Sequence, residues 1–120
     1  MASKLTKASK YRAKRTTTAD GITHASKKQS IRWVLLRQLE RSGEIINLRR
    51  EVPFKLNVNG VHVCTYRADH VYEKPVASAH NGATGYFSTV VEDVKGMLTA
   101  TYKLKKRLMK AVHNIDILEV

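Results

Sequence analysis

The dipeptide Asn59-Gly60 sits between two alternating runs. Before it, Val52, Phe54, Leu56 and Val58 alternate with more polar partners; after it come Val61, Val63 and the segment Tyr66 to Tyr72. A period of two is the pattern of a strand with one buried face. Asn-Gly readily adopts the left-handed backbone that a two-residue hairpin turn needs at both central positions. The middle of the chain is therefore expected to be an antiparallel hairpin on which the rest must pack. Pro53 cannot donate to a ladder, which places it at a strand start or on a sheet edge.

Ser26-Lys27-Lys28-Gln29 has the form of a capping box, with Ser26 at the N-cap and Gln29 at N3. It predicts a helix to about Ser42, stopped by Gly43. Trp33, Leu36 and Leu39 face inward on that helix, and Gln29 lies on the same stripe or at its edge. Glu44 to Leu48 reads as a short strand. Glu73 to Tyr86 reads as a loop, Phe87 to Val94 as a strand and Leu98 to Val112 as a helix. Within this last helix Leu104, Leu108, Ala111 and Val112 are expected to face the core. Ile115 to Val120 suggests a final strand. Counted apart, these are a helix, three strands, a loop, a strand, a helix and a strand; the expected core order is α-β-β-β-α-β, an α/β (α+β) fold with a central mixed sheet flanked by helices. Its last β-α-β link is expected to be a right-handed crossover.

Charge decides the partner class. The 120 residues carry a formal net charge of +12, and such an excess calls for a polyanion, most often nucleic acid. Lys4, Lys7, Lys10, Arg12, Lys14 and Arg15 supply half of it with no acid among them. Apolar groups are too few there to offset ordering entropy. Residues 1–20 are thus read as a flexible basic arm, and 21–120 as one domain. The arm would contact phosphates, with Tyr11 available for stacking on a base; a solubilising tail is the plainer reading. Lys103, Lys106, Arg107 and Lys110 form a second basic stripe at helical spacing, and Lys27 and Lys28 add charge at the first helix start.

Other classes are excluded. No run approaches the roughly 18 apolar residues of a transmembrane helix, and Met1 to Arg15 lacks the apolar stretch of a secretory signal. One cysteine, Cys64, allows no internal disulfide and fits a reducing cytoplasm. His62, Cys64 and His70 fall short of a zinc ligand set, so no zinc is expected. There is no GxGxxG, no P-loop and no GxSxG. Trp33, Tyr66 and Tyr72 are read as packing residues.

Acids are few, so their placement matters. Asp69 lies in one predicted strand, and Asp93-Val94-Lys95 ends another. On a strand Asp93 and Lys95 would share a face, with Glu92 on the other. Half-buried carboxylates are costly unless compensated, and a hard divalent cation compensates well. Lys95 beside them could orient water or stabilise phosphate charge. Glu51 is a lesser candidate near the same face.

An Asp on one strand and (Asp/Glu)-x-Lys on its neighbour resembles the PD-(D/E)XK nuclease superfamily. The ordered set Lys10-Tyr11-Arg12, Asp20-Gly21-Ile22, Ser26-Lys27-Lys28, Gly43-Glu44-Ile45, Tyr66-Arg67-Ala68-Asp69, Val91-Glu92-Asp93-Val94-Lys95-Gly96 and Thr101-Tyr102-Lys103-Leu104-Lys105-Lys106 is similar to small phage and prophage proteins of that superfamily, described largely as of unknown function. The resemblance implies a restriction-endonuclease-like core, and Mg²⁺ (Mn²⁺ as substitute) held by Asp69, Asp93 and the Val94 carbonyl. It implies Lys95 as the catalytic lysine. The family usually has Glu where this chain has Gln29, so either one metal suffices or the form is inactive. Resemblance also implies action on branched or junction DNA, as a homodimer, in a bacterial host's cytoplasm.

The expected function is a metal-dependent endodeoxyribonuclease gripping DNA mainly by its backbone, without a membrane role. The rival is a non-catalytic nucleic-acid-binding protein, whether an inactive nuclease fold or a ribosomal-like RNA binder.

Overall fold

The computed structural model describes residues 14–76 and 86–120. Expectations for Lys4, Lys7, Lys10, Tyr11 and Arg12, and for the middle of the Glu73–Tyr86 loop, lie outside the described residues. In chain order the elements are β1 (Thr16–Thr17), β2 (Thr23–His24), α1 (Lys27–Arg41), β3 (Ile46–Val58), β4 (Val61–Pro75), β5 (Phe87–Asp93), α2 (Ala100–His113) and β6 (Leu118–Glu119).

Asn59 and Gly60 both take positive φ, 51° and 78°, and join β3 to β4 with Val58 opposite Val61. The sheet order is β3-β4-β5-β6. Its first two pairings are antiparallel and β5–β6 is parallel, so α2 is the crossover between parallel neighbours. From α1 onward the chain follows α-β-β-β-α-β, a mixed sheet with two helices. Two strand readings change. Residues 46–58 form one strand rather than two, and β4 runs on to Pro75. Pro53 lies within β3, an edge strand, where its missing donor disrupts no interior ladder.

Ser26 caps α1, its Oγ accepting from Gln29 N at 3.1 Å, and Gly43 leaves the helix at φ 83°. Trp33 and Leu36 are buried, with Leu39 packed beside Leu36, Ile45 and Tyr72. At α2, Thr99 caps the start and left-handed Asn114 closes the end. Its inward stripe differs from expectation. Met109 is fully buried and Tyr102, Leu108 and Val112 pack on the core, while Leu104 is 55% exposed and Ala111 is exposed. Leu104 lies roughly 200° around the helix from Tyr102, which carries it outward. No helix among the described residues is long and apolar enough to cross a membrane.

Residues 16–20, read as part of the basic arm, belong to a folded hairpin. Thr16 and Thr17 pair with His24 and Thr23, and Asp20 closes the turn by accepting from Ile22 N at 3.1 Å. Its other oxygen accepts from Trp33 Nε1 at 2.7 Å. Hydrogen bonds from Thr18 and Trp33 hold the Asp20 carboxyl down to about 2 from 3.8. A depressed folded-state value means this contribution is present above the ordinary carboxylate range and lost as pH falls through about 2. Trp33 fluorescence is expected to titrate near pH 2 and to lose that transition in Asp20→Asn; a midpoint near 4 would place Asp20 in open water.

The alternation in β4 slips once. Tyr66, Ala68 and Val71 belong to one core cluster with Leu56, Val91, Met109 and Ile117, although Ala68 and Val71 are an odd number of residues apart. The slip falls at Asp69. Across β3, Arg50 pairs with His70 and Val52 with Ala68, and Glu51 between them has φ 52°. A left-handed backbone at a non-glycine strand residue is uncommon, and such strain gathers at functional sites.

Candidate nucleic-acid site around Asp69 and Asp93

β4 and β5 pair with His70 opposite Glu92. Continuing that register sets Asp69 opposite Asp93, two residues from Val71 and Val91 on the respective strands. Three groups hold the pair. Val94 N donates to Asp69 Oδ2 at 2.7 Å, Gln29 Nε2 donates to Asp69 Oδ1 at 3.1 Å, and Tyr66 OH donates to Asp93 Oδ1 at 2.9 Å. Burial pushes Asp69 up to about 6; the Val94 hydrogen bond opposes this, and the Asp93 charge adds to it. Asp93 is also raised, by burial first, with Tyr66 opposing and Glu119 adding. Each anion is thus disfavoured as the protein stands.

Gln29 does not complete the capping box. Ser26 caps its backbone, but the Gln29 side chain turns to Asp69 instead of back to Ser26. Val94 enters the site through its N–H. Lys95 departs from expectation, because β5 ends at Asp93 and strand-face parity does not extend to it. Its N–H donates to Val120 O at 2.6 Å and its carbonyl accepts from Lys28 Nζ at 2.9 Å. The exposed Lys95 ammonium helps keep Glu119 ionised, after Lys106 and Tyr102. Glu51, the lesser candidate, pairs with Arg50 at 2.9 Å; its charge also raises Asp69.

Two grooves flank the carboxylates. One, of about 860 Å³, runs between the start of α1 and residues 94–97; Lys14, Lys27, Lys28 and Lys95 line it together with Gln29 and Val94. The other, of about 500 Å³, lies between β4 and α2, where Arg67 and Lys105 stand beside Tyr66 and Tyr102. Thr99 lines both. Neither lining contains an acid. Arg67 and Lys105 were not singled out from the sequence because Lys105 lies off the stripe of Lys103, Lys106, Arg107 and Lys110, and Arg67 stands alone on another element.

The basic stripe of α2 is partly neutralised. Lys106 pairs with Glu119 at 2.9 Å and Lys110 with Asp116 at 3.0 Å. Those acids follow the helix in sequence, so the stripe looked unbalanced within the helix alone. Lys103 and Arg107 are exposed and have no ion pair among the described residues.

Glu92 is fully buried on the other face, as its parity requires. Arg32 grips it through two nitrogens, Nε at 3.0 Å and Nη2 at 2.5 Å, and Tyr72 OH also donates to it. His70 Nδ1 lies 3.7 Å away, too far for a hydrogen bond. Burial opposes ionisation of Glu92, but His70, Arg32 and Tyr72 outweigh it and hold the carboxyl down to about 2. Trp33 does pack, stacked on His70 with ring centroids 5.8 Å apart. Tyr66 and Tyr72 do more than pack, since each donates to a carboxylate. Parity hid Tyr66, because the slip at Asp69 brings it to the face it should have left.

His62 bonds Asn57 and Cys64 packs on the core. Among the described residues no three His, Cys, Asp or Glu side chains converge to hold a metal. The donors at the candidate site are two carboxylates plus the Gln29 amide. That set fits Mg²⁺, which often takes one or two carboxylates and keeps several waters.

No curated protein and no solved structure matches the chain. The family model described as "Protein of unknown function (DUF1064)" matches residues 8–117. Spanning almost the whole sequence, that match assigns the chain to the DUF1064 family.

Proposed function

We propose that the chain is a Mg²⁺-dependent endodeoxyribonuclease of the PD-(D/E)XK kind. One observation carries the reading: Asp69 and Asp93 meet on adjacent strands between two acid-free cationic grooves. Repelling carboxylates oppose DNA binding, so their place there is best explained by a cation between them and a phosphate. Asp69 and Asp93 would hold it, and the Gln29 amide, turned over, would offer its oxygen. The bound ion supplies Lewis-acid stabilisation of charge on the scissile phosphate. Val94 N–H and Tyr66 OH each fix one carboxylate oxygen and so limit rotation. The lysines of the larger groove, with Arg67 and Lys105 across the site, hold phosphates on either side. Lys95 lines the first groove and would position water or neutralise developing charge.

A binding-only reading is favoured by one specific feature. Gln29 donates to Asp69 instead of adding negative charge, which weakens any cation site. Gln29→Glu decides between the two. It is expected to tighten Mg²⁺ binding, measured by calorimetry, by tenfold or more, and to raise cleavage of linear, single-stranded and four-way-junction DNA. Tightened Mg²⁺ binding with no cleavage of any form would leave the protein a DNA binder.

A further inference from the structure

We propose that the β3–β4 ribbon inserts its outer face and tip into the major groove of duplex DNA. This rests on the nucleic-acid reading above but not on cleavage. β5 pairs with β4 only from His70 onward, so from Pro53 to Arg67 the sheet is a two-stranded ribbon. Val52, Phe54, Leu56, Cys64, Tyr66 and Ala68 belong to the core beneath α2. The alternate residues Pro53, Lys55, Thr65 and Arg67 are exposed. Beyond Leu56 and Cys64 the ribbon continues as a tip in which every residue from Asn57 to Val63 is exposed.

Composition and geometry both select the partner. No Asp or Glu occurs from Val52 to Arg67, so Lys55 and Arg67 present uncompensated charge to a polyanion. The tip carries Asn57, Asn59 and His62 as donors and acceptors, with His62 Nδ1 2.9 Å from Asn57 Oδ1. Exposed Val58, Val61 and Val63 are costly in water but suit contact with thymine methyl groups. The major groove, about 12 Å wide, admits a two-stranded ribbon and presents a distinct donor, acceptor and methyl pattern for each base pair. Arg67 also lines the smaller groove beside Tyr66, which ties the ribbon to Asp93. At about 3.3 Å per residue, the nine steps from Asp69 to Gly60 span roughly 30 Å. That is close to one turn of duplex, about 34 Å. The tip would therefore touch bases almost one turn away from the phosphate at the carboxylates.

The test is equilibrium binding by fluorescence anisotropy to a 30-base-pair DNA duplex (about three turns) in EDTA. Intact chain, Lys55→Ala/Arg67→Ala and Asn57→Ala would be compared. All three side chains are exposed, and circular dichroism checks that the variants fold. The double variant is expected to lose tenfold or more in affinity, and its log–log salt slope should shrink by about two. Asn57→Ala should keep the salt slope and no longer be sensitive to 7-deaza-adenine in the duplex, since an Asn amide reads adenine N7 and N6 in the major groove. An RNA duplex of equal length should bind more weakly, because its deep, narrow major groove excludes side chains. Unchanged affinity and slope in the double variant would overturn the proposal, as would equal binding of the RNA duplex. Failure of the nuclease reading would appear separately, as no cleavage in Mg²⁺ by a chain that still binds through the ribbon.

Discussion

Asp93→Ala, made in the Gln29→Glu background, is expected to abolish DNA cleavage while leaving DNA affinity within about threefold. Asp93 supplies one of the two native carboxylates at the site, beside the one that Gln29→Glu adds, and a hard cation loses heavily with each one removed. The proposed phosphate grip uses other side chains, Lys14, Lys27, Lys28 and Lys95 lining one groove and Arg67 and Lys105 the other. Losing a carboxylate lessens repulsion of the backbone, so any change in affinity is expected to be a slight rise, the sign opposite to lost grip. Lys95→Ala should also stop cleavage but weaken binding, because that lysine lines the groove. Cleavage by both variants at the parent rate would place the chemistry away from Asp93, and loss of binding by Asp93→Ala would make the residue structural.

The largest stability effect is expected at Arg32. Glu92 is fully buried, and Arg32, with a side chain 25% exposed, is its only cationic partner within 3 Å among the described residues. Truncating Arg32 leaves an uncompensated buried carboxylate, which costs about 3–5 kcal/mol. A domain of this size has a total stability of roughly 5–15 kcal/mol, so Arg32→Ala should lower Tm by roughly 10–20 °C. Replacing both members, as in Arg32→Met/Glu92→Leu, should recover much of the loss, because no charge is then stranded in the interior. Thermal melts of the two singles and the double form the cycle. A loss below about 1 kcal/mol for Arg32→Ala, the usual worth of a surface pair, would show that water reaches Glu92.

The fold was legible where local chemistry is decisive. Ser26 and Gly43 marked the ends of α1, and Asn59-Gly60 marked the hairpin, because caps and turns depend on a few neighbouring atoms. The Asp69–Asp93 meeting was legible because parity and strand order suffice to bring two residues together. What escaped depends on distant partners. Glu92 on the far face was expected, but Arg32 as its partner lies 60 residues away. Glu119 and Asp116 neutralise Lys106 and Lys110 only after the chain turns back past α2. The Tyr66 hydrogen bond to Asp93 escaped because the alternation slips at Asp69, across from the left-handed Glu51 on the neighbouring strand. The β1–β2 hairpin escaped because its pairing is two residues long, too short for a periodic signal, while Asp20 carries its tertiary anchor.

The outer edge of β3 bears on how the protein behaves when crowded. An open strand edge is a template for another chain, and a long flat one invites sheet-to-sheet growth. β3 has 13 residues, yet Asn47 and Glu51 turn left-handed along it and Pro53 removes a donor. No stretch between Asn47 and Pro53 keeps four regular residues in a row, so an incoming strand meets a broken ladder. The left-handed turn at Glu51, across from Asp69, thus also shields the molecule from self-templating. Straightening it with Glu51→Val and Pro53→Val would trade that protection for a continuous sticky edge.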